Sequence, residues 1–188
     1  MIEMSNAIDK ETKVRLFSTL RNTTVNGSGA RYAIFMQGCA HNCKGCHSKD
    51  SHSLEAGIVT TYRNLLDDIN ANLPLLDGVT FSGGDPLYNW KATLDLCKAI
   101  KELPNWNENQ HTIWLYTGYT YEEVLADENL TEVIKAVDVI VDGKFDIDKK
   151  SNLLRFRGSS NQRIFELKKD SAEPKQELTN TIGWVSAD

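Results

Sequence analysis

Residues 14–20 alternate in polarity around Val14, Leu16, Ser18 and Leu20, the period of two expected of a strand, and Asn26-Gly27 follows as a turn signal. Residues 31–37 are almost continuously apolar, as in a strand covered on both faces. The spacing then changes. Tyr62, Leu65, Leu66, Ile69 and Leu73 repeat at helical intervals, predicting a helix over 60–73 with Thr60 or Thr61 as its N-cap. A short strand is predicted over 78–81. Asn89 is placed to cap a helix running to Leu103, with Leu96, Ile100 and Leu103 on one face and Pro104 ending it. Residues 112–116 form the next strand. Thr120-Tyr121-Glu122-Glu123 matches a capping box opening a helix towards Ala126, and 137–141 is a further buried-type strand.

Strands alternating with helices predict βαβ units, a largely parallel sheet and one α/β domain. No internal repeat or linker divides the chain, and the polar stretch 168–188 reads as a loosely held tail. Composition adds exclusions. With 21 Lys+Arg against 26 Asp+Glu among 188 residues, the net charge of −5 argues against a duplex nucleic-acid partner. The N-terminus has no apolar core of a secretory signal, and the apolar runs are too short for a membrane span, so no membrane association and a cytoplasmic location are expected. In a reducing compartment, cysteines are metal ligands or catalytic groups more often than disulfides.

The unusual segments each follow a predicted strand: Gly38 to Lys49, Ser82-Gly83-Gly84-Asp85-Pro86, Thr117-Gly118-Tyr119 and Asp142-Gly143-Lys144-Phe145. In a parallel sheet or barrel the strand C-termini share one end, so these segments should gather at one rim. Cys39, Cys43 and Cys46 form C-x3-C-x2-C within eight residues. Thiolates are soft ligands suited to zinc or iron–sulfur clusters. Three readings stay open at this point: a cluster with one iron free for a small molecule, a zinc site completed by His41 or His47, and no metal at all. All three cysteines sit on one loop, whereas structural zinc sites usually draw paired ligands from two segments. Gly83-Gly84 lets the backbone approach a ligand closely and Asp85 can meet a cationic group, although the same residues also make an ordinary turn.

Together the cysteine loop and Ser82-Gly83-Gly84-Asp85-Pro86 resemble the radical S-adenosylmethionine superfamily. The finer resemblance is to the activating enzymes of anaerobic (class III) ribonucleotide reductase. It is carried also by Asn26-Gly27-Ser28-Gly29 with Arg31, by residues 114–119 and 141–145, and by Phe156 to Arg163. It runs from about Val14 to Leu167, which makes 14–167 the activase domain, 1–13 an N-terminal extension and 168–188 a polar C-terminal tail. Two positions depart from the pattern: His47 stands where an aromatic residue, typically Tyr, is usual, and Ser28 where the turn usually has Pro.

The resemblance implies a partial, open β/α barrel. It implies that Cys39, Cys43 and Cys46 hold three irons of a [4Fe-4S] cluster, the fourth iron chelating S-adenosyl-L-methionine. Gly83, Gly84 and Asp85 would receive the cofactor's amino group, with Gly45, Cys46 and His47 near it. A reduced flavodoxin or similar donor would supply one electron. Reductive cleavage to methionine and a 5′-deoxyadenosyl radical would then generate a glycyl radical on the glycyl-radical subunit of the reductase. Three alternatives are an activase for another glycyl-radical enzyme, of pyruvate formate-lyase type, an iron–sulfur electron carrier, and a zinc-stapled interaction module. A carrier would need a fourth ligand, and Cys97, on the helix after the glycine loop, reads instead as a buried small hydrophobe. Asp142 and Lys144 fit a strand-end turn as well as a cofactor contact. Trp114, Tyr116 and Tyr119 read as core and rim packing. Arg155, Arg157 and Arg163 are either solvated surface charge or a docking patch for the reductase.

Overall fold

The computed structural model describes residues 8–178. The strands and helices, in chain order, are β1 (Lys13–Thr23), β2 (Arg31–Met36), β3 (Ile58–Thr61), α1 (Tyr62–Asn72), β4 (Gly78–Gly83), α2 (Trp90–Lys101), β5 (Thr112–Tyr116), α3 (Tyr121–Leu125), α4 (Glu128–Lys135), β6 (Val139–Asp142), β7 (Arg163–Leu167) and β8 (Pro174–Glu177). All the strands join one eight-stranded sheet in the order β3-β1-β2-β4-β5-β6-β7-β8. The central four, β2, β4, β5 and β6, are parallel, and antiparallel pairs flank them on both sides. β3 and β8 each have a single neighbour, so the sheet is open. The architecture is α/β, as the alternation of patterns predicts.

The helices pack on one face of the sheet. β5 illustrates the division: Ile113 and Leu115 join the large core with Phe81, Leu96, Ile100 and Ile134, while Trp114 and Tyr116 lie in a smaller cluster with Val141, Phe156 and Ile164. Opposite-facing neighbours along a strand produce this split directly. Arg31, fully buried at the start of β2, is held by Thr80 Oγ1 (2.6 Å), Thr112 Oγ1 (3.1 Å) and the carbonyls of Ser28, Val79 and Thr112. Burial pushes its pKa down to about 10, so it remains cationic at neutral pH. It pins the N-terminal ends of three parallel strands together.

Several boundaries depart from the sequence pattern. β3 occupies residues assigned to the start of the first helix. Its Ile58 and Val59 are exposed, so pairing with β1 specifies it rather than burial. The helix begins at Tyr62 with Thr61, one of the two caps expected, as its N-cap, its Oγ1 accepting from the Asn64 N–H. The capping box at Thr120 and Glu123 is present with both reciprocal bonds. That helix ends at Leu125 with Ala126 as its C-cap, as expected, and Asp127 caps a second helix, α4, that was not predicted. β7 and β8 were not expected. β8 lies within the stretch read as a loosely held tail, and its four residues are all exposed, which leaves no hydrophobic pattern to reveal it. Most of the expected N-terminal extension, residues 1–7, and the end of the tail, residues 179–188, lie outside the described residues. No helix among the described residues is long and apolar enough to cross a membrane.

Candidate metal centre and cofactor rim

The register of the parallel strands brings Met36 beside Gly83 and Tyr116 beside Val141. The loops that follow therefore leave the sheet at one end. Backbone bonds tie them to each other: Gly84 N–H to Met36 O (2.8 Å), Asp85 N–H to Gly38 O (2.9 Å), Thr117 N–H to Val141 O (2.9 Å) and Gly143 N–H to Tyr119 O (2.9 Å). The four segments singled out in the sequence form one rim.

The cysteine loop spans that rim. Its start is fixed by Gly38 N–H to Ser51 O (2.7 Å) and Cys39 N–H to His52 O (3.3 Å). Gln37, itself buried, reaches across with Nε2 to the carbonyls of Asp50 (3.1 Å) and Ser53 (2.7 Å). A turn closes Cys43 to Cys46 (3.1 Å). Gly45 packs over Ile147, beyond the β6 loop. The Cys46 Sγ lies 3.4 Å from the Ser48 N–H and 3.3 Å from His52 Nε2. Burial pushes the Cys39 and Cys43 thiols up. Nearby sulfurs add to this, Cys43 and Cys46 acting on Cys39, and Cys46 on Cys43.

This donor set fits an iron–sulfur cluster. Three free, partly buried thiols share a loop, and as thiolates they repel one another, an arrangement that bound iron compensates. Among the described residues no three His, Cys, Asp or Glu side chains are grouped to hold a single metal ion. A cluster that takes each sulfur on a different iron needs no such grouping. His41, a possible zinc ligand in the sequence, is engaged elsewhere, and His47 is exposed.

Asp85 is the centre of the glycine turn. It is 1 % exposed, and its carboxylate accepts from the Leu87 N–H (2.9 Å), the Thr117 hydroxyl (2.9 and 3.0 Å) and the Gly118 N–H (2.8 Å). His41 Nε2 contacts it at 2.6 Å. One side chain thus joins the loops after β2, β4 and β5. The His41 ring stacks edge-on against Tyr119, with centroids 4.7 Å apart. The approach is so close that a Cβ at Gly118 would overlap the His41 ring, and one at Gly84 would overlap the Gly38 carbonyl oxygen. The carboxylate is thus engaged within the rim, while Gly83 and Gly84 beside it are partly exposed.

The other candidates are placed as follows. Cys97 is fully buried in the core, where desolvation pushes its thiol far up. Asp142, 1 % exposed, accepts from Tyr121 N–H (2.7 Å) and pairs with Arg163, which also grips Glu122 (2.7 Å). Arg163 is therefore committed within the fold. Arg157 donates to Gln162 O (2.6 Å) and Arg155 lies over the Phe156 ring. Lys144 is exposed. Thr117, in a segment the sequence singles out, contributes its hydroxyl to Asp85, whereas sequence reasoning gives Gln37 and His52 no role, since neither stands out in periodicity or motif spacing. A separate cavity of about 610 Å³, lined by Asp77, Trp106, His111 and Asp138, opens near the N-terminal ends of β5 and β6, away from these loops.

Comparison with known proteins agrees with this geometry. A family model described as a 4Fe-4S single cluster domain matches residues 25–165. The chain is 37 % identical over 147 residues to the anaerobic ribonucleoside-triphosphate reductase-activating protein of Pasteurella multocida, covering 75 % of this chain and 90 % of that one. It is 37 % identical to the protein of the same name from Vibrio cholerae, over 74 % of this chain and 90 % of the relative. For the one from Enterobacteria phage T4 the identity is 34 %, over 75 % and 86 %. The cysteine loop, the glycine turn and the strands that carry them all lie inside the matched region, and the chain belongs to the family of anaerobic ribonucleoside-triphosphate reductase-activating proteins.

Proposed function

We propose that this chain activates anaerobic ribonucleotide reductase by generating a glycyl radical on it, using a [4Fe-4S] cluster and S-adenosyl-L-methionine. The observation that carries this reading is the placement of Cys39, Cys43 and Cys46 on one loop whose start, Gly38, accepts the N–H of Asp85 in the glycine turn at the C-terminal ends of the parallel strands. When bound, the cluster supplies the electron that cleaves S-adenosyl-L-methionine to methionine and a 5′-deoxyadenosyl radical, which takes a hydrogen atom from a glycine of the reductase.

The residues of this chain do the holding and the exclusion. Cys39, Cys43 and Cys46 would hold a [4Fe-4S] cluster through three of its irons, which would leave one iron for the cofactor. Gly83 and Gly84 offer backbone carbonyls to the cofactor's amino group, while Asp85 locks their turn against the cysteine loop through His41 and against β5 through Thr117. Gly45, Cys46 and His47 border the bound cofactor. His47, being exposed, can present a flat ring edge or face to the nucleoside. A reactive primary alkyl radical demands a site without competing hydrogen donors, and closely packed glycine loops supply walls with few side chains. The electron donor is a reduced flavodoxin or a protein like it. Residues 14–167 form the activase domain, and the open sheet is a partial β/α barrel of the radical S-adenosylmethionine type.

Anaerobic reconstitution with iron and sulfide, followed by dithionite and S-adenosyl-L-methionine, tests this directly. Deoxyadenosine and methionine should form in equal amounts and vanish in Cys43→Ala. A colourless zinc protein that yields neither product would overturn the reading.

A further inference from the structure

We propose that His52 sets the reduction potential of the cluster by donating its Nε2–H to the Sγ of Cys46. This rests on the reading of Cys39, Cys43 and Cys46 as cluster ligands. The Nε2···Sγ distance is 3.3 Å. A cysteine sulfur bound to iron is a thiolate with no proton of its own, so the hydrogen in this contact sits on the imidazole. An N–H···S bond draws electron density from the sulfur and favours the reduced cluster, which carries the extra negative charge. Hydrogen bonds to the ligand sulfurs are among the determinants of cluster potential.

The ring is placed by its backbone rather than by chance contact. The His52 N–H donates to Lys49 O (3.1 Å) and its carbonyl accepts the Cys39 N–H (3.3 Å). Ser51 beside it is fully buried, with its carbonyl on Gly38 N–H (2.7 Å) and its hydroxyl on Ser48 O (2.6 Å). The segment Ser51-His52 is thus tied to the start of the cysteine loop by two backbone bonds, while the His52 side chain reaches the last cysteine. The other histidines are placed differently. His41 is held by Asp85, His47 is exposed, and His111 accepts the Asn107 N–H at its Nδ1 away from the rim. Ser48 N–H also points at the Cys46 sulfur, but His52 is the side-chain donor and can be removed alone. His52 acts through Cys46 and touches no substrate, so it is a positioning and tuning residue.

The test compares the wild-type protein with His52→Phe and His52→Gln, each reconstituted anaerobically without S-adenosyl-L-methionine. Iron and sulfide per chain are measured first, then the midpoint potential of the cluster by redox titration followed by electron paramagnetic resonance. His52→Phe should hold as much iron but titrate lower, with about tenfold less reduced cluster at a fixed solution potential. For a one-electron couple that is a shift of about 59 mV. His52→Gln keeps an N–H donor and should recover part of the difference. Equal potentials in wild type and His52→Phe overturn the inference, as does a Gln variant titrating as low as Phe. If His52→Phe fails to take up iron, pulsed resonance on wild-type protein labelled with 15N-histidine decides: a histidine nitrogen coupled to the reduced cluster supports the bond, and none overturns it. Failure of the cluster-ligand reading looks different, because the wild-type protein then holds no iron–sulfur cluster before any variant is compared, and failure of the activase reading shows instead as a cluster-loaded wild type that forms no deoxyadenosine.

Discussion

Asp85 receives hydrogen bonds from three loops with almost no access to water, so its two oxygens do the work of a small polar core at the rim. Asp85→Asn keeps the shape but turns an amide towards donors that have no other acceptor. Leaving such buried donors unpaired costs roughly 1–3 kcal/mol each, more for charged groups. The variant should lose about 3 kcal/mol in urea unfolding of the metal-free protein, and an unchanged midpoint would show that the junction does not bind the loops together. Arg31 is the second such residue. Arg31→Met abandons three carbonyls and two hydroxyls, and a loss of about 3 kcal/mol or more is expected by the same measurement. At this scale the sequence was informative about chemistry and silent about wiring. Three cysteines in eight positions point to a metal because ordinary core and surface packing seldom calls for them, and the family resemblance chooses among the readings the spacing leaves open. The link from His41 to Asp85 crosses 44 positions along the chain and depends on the register between β2 and β4, which no local pattern encodes.

Elements with strong local signals were legible. The capping box at Thr120 forms as written, since both of its bonds lie within four residues. Thr120→Ala should destabilise by about 1 kcal/mol, visible as a lower thermal midpoint, and an unshifted midpoint would mean that packing of Tyr121 and Val124 alone holds α3. Elements defined by pairing alone were not legible: β3 and β8 are exposed edge strands, and their residues carry no alternation that burial would impose. The glycine turn after β4 sits between these cases. Its composition suggested either a turn or a ligand cradle, and the reason for glycine at position 84 emerges only from the backbone of the cysteine loop lying against it. Gly84→Ala puts a methyl group into the Gly38 carbonyl, with the Ser51 carbonyl also close, so one of the two loops must move. Iron bound per chain after reconstitution should fall severalfold while far-ultraviolet circular dichroism stays near wild type; full iron content would show that the loops separate without cost to the metal site.

For the molecule as a whole, ionisation pulls stability in two directions at low pH. Glu122, hydrogen-bonded by Arg163, is held down to about 2, below its ordinary 4.5. Its contribution is complete above the ordinary value and is lost as pH falls from about 4.5 towards 2. Its exposure keeps the effect small. Asp138 is the reverse: burial pushes its pKa up from 3.8, so the folded state is penalised as pH rises through that region and remains so at neutrality. Asp138→Asn, which can still accept the Ile113 N–H, should raise the thermal midpoint at neutral pH and lose the advantage in acid. Glu122→Gln should lower it at neutral pH and converge with wild type near pH 2. Parallel curves across that range would mean that neither carboxylate titrates as its surroundings dictate.

The sheet whose outer strands never meet has a last consequence. A closed barrel surrounds its interior with its own strands, whereas the order of this sheet leaves β3 and β8 at two separate edges. Whatever completes the enclosure has to arrive with the reaction, and for a protein substrate the arriving surface also carries the target hydrogen atom. Substrate and lid are then the same body. Docking and sealing are then a single event.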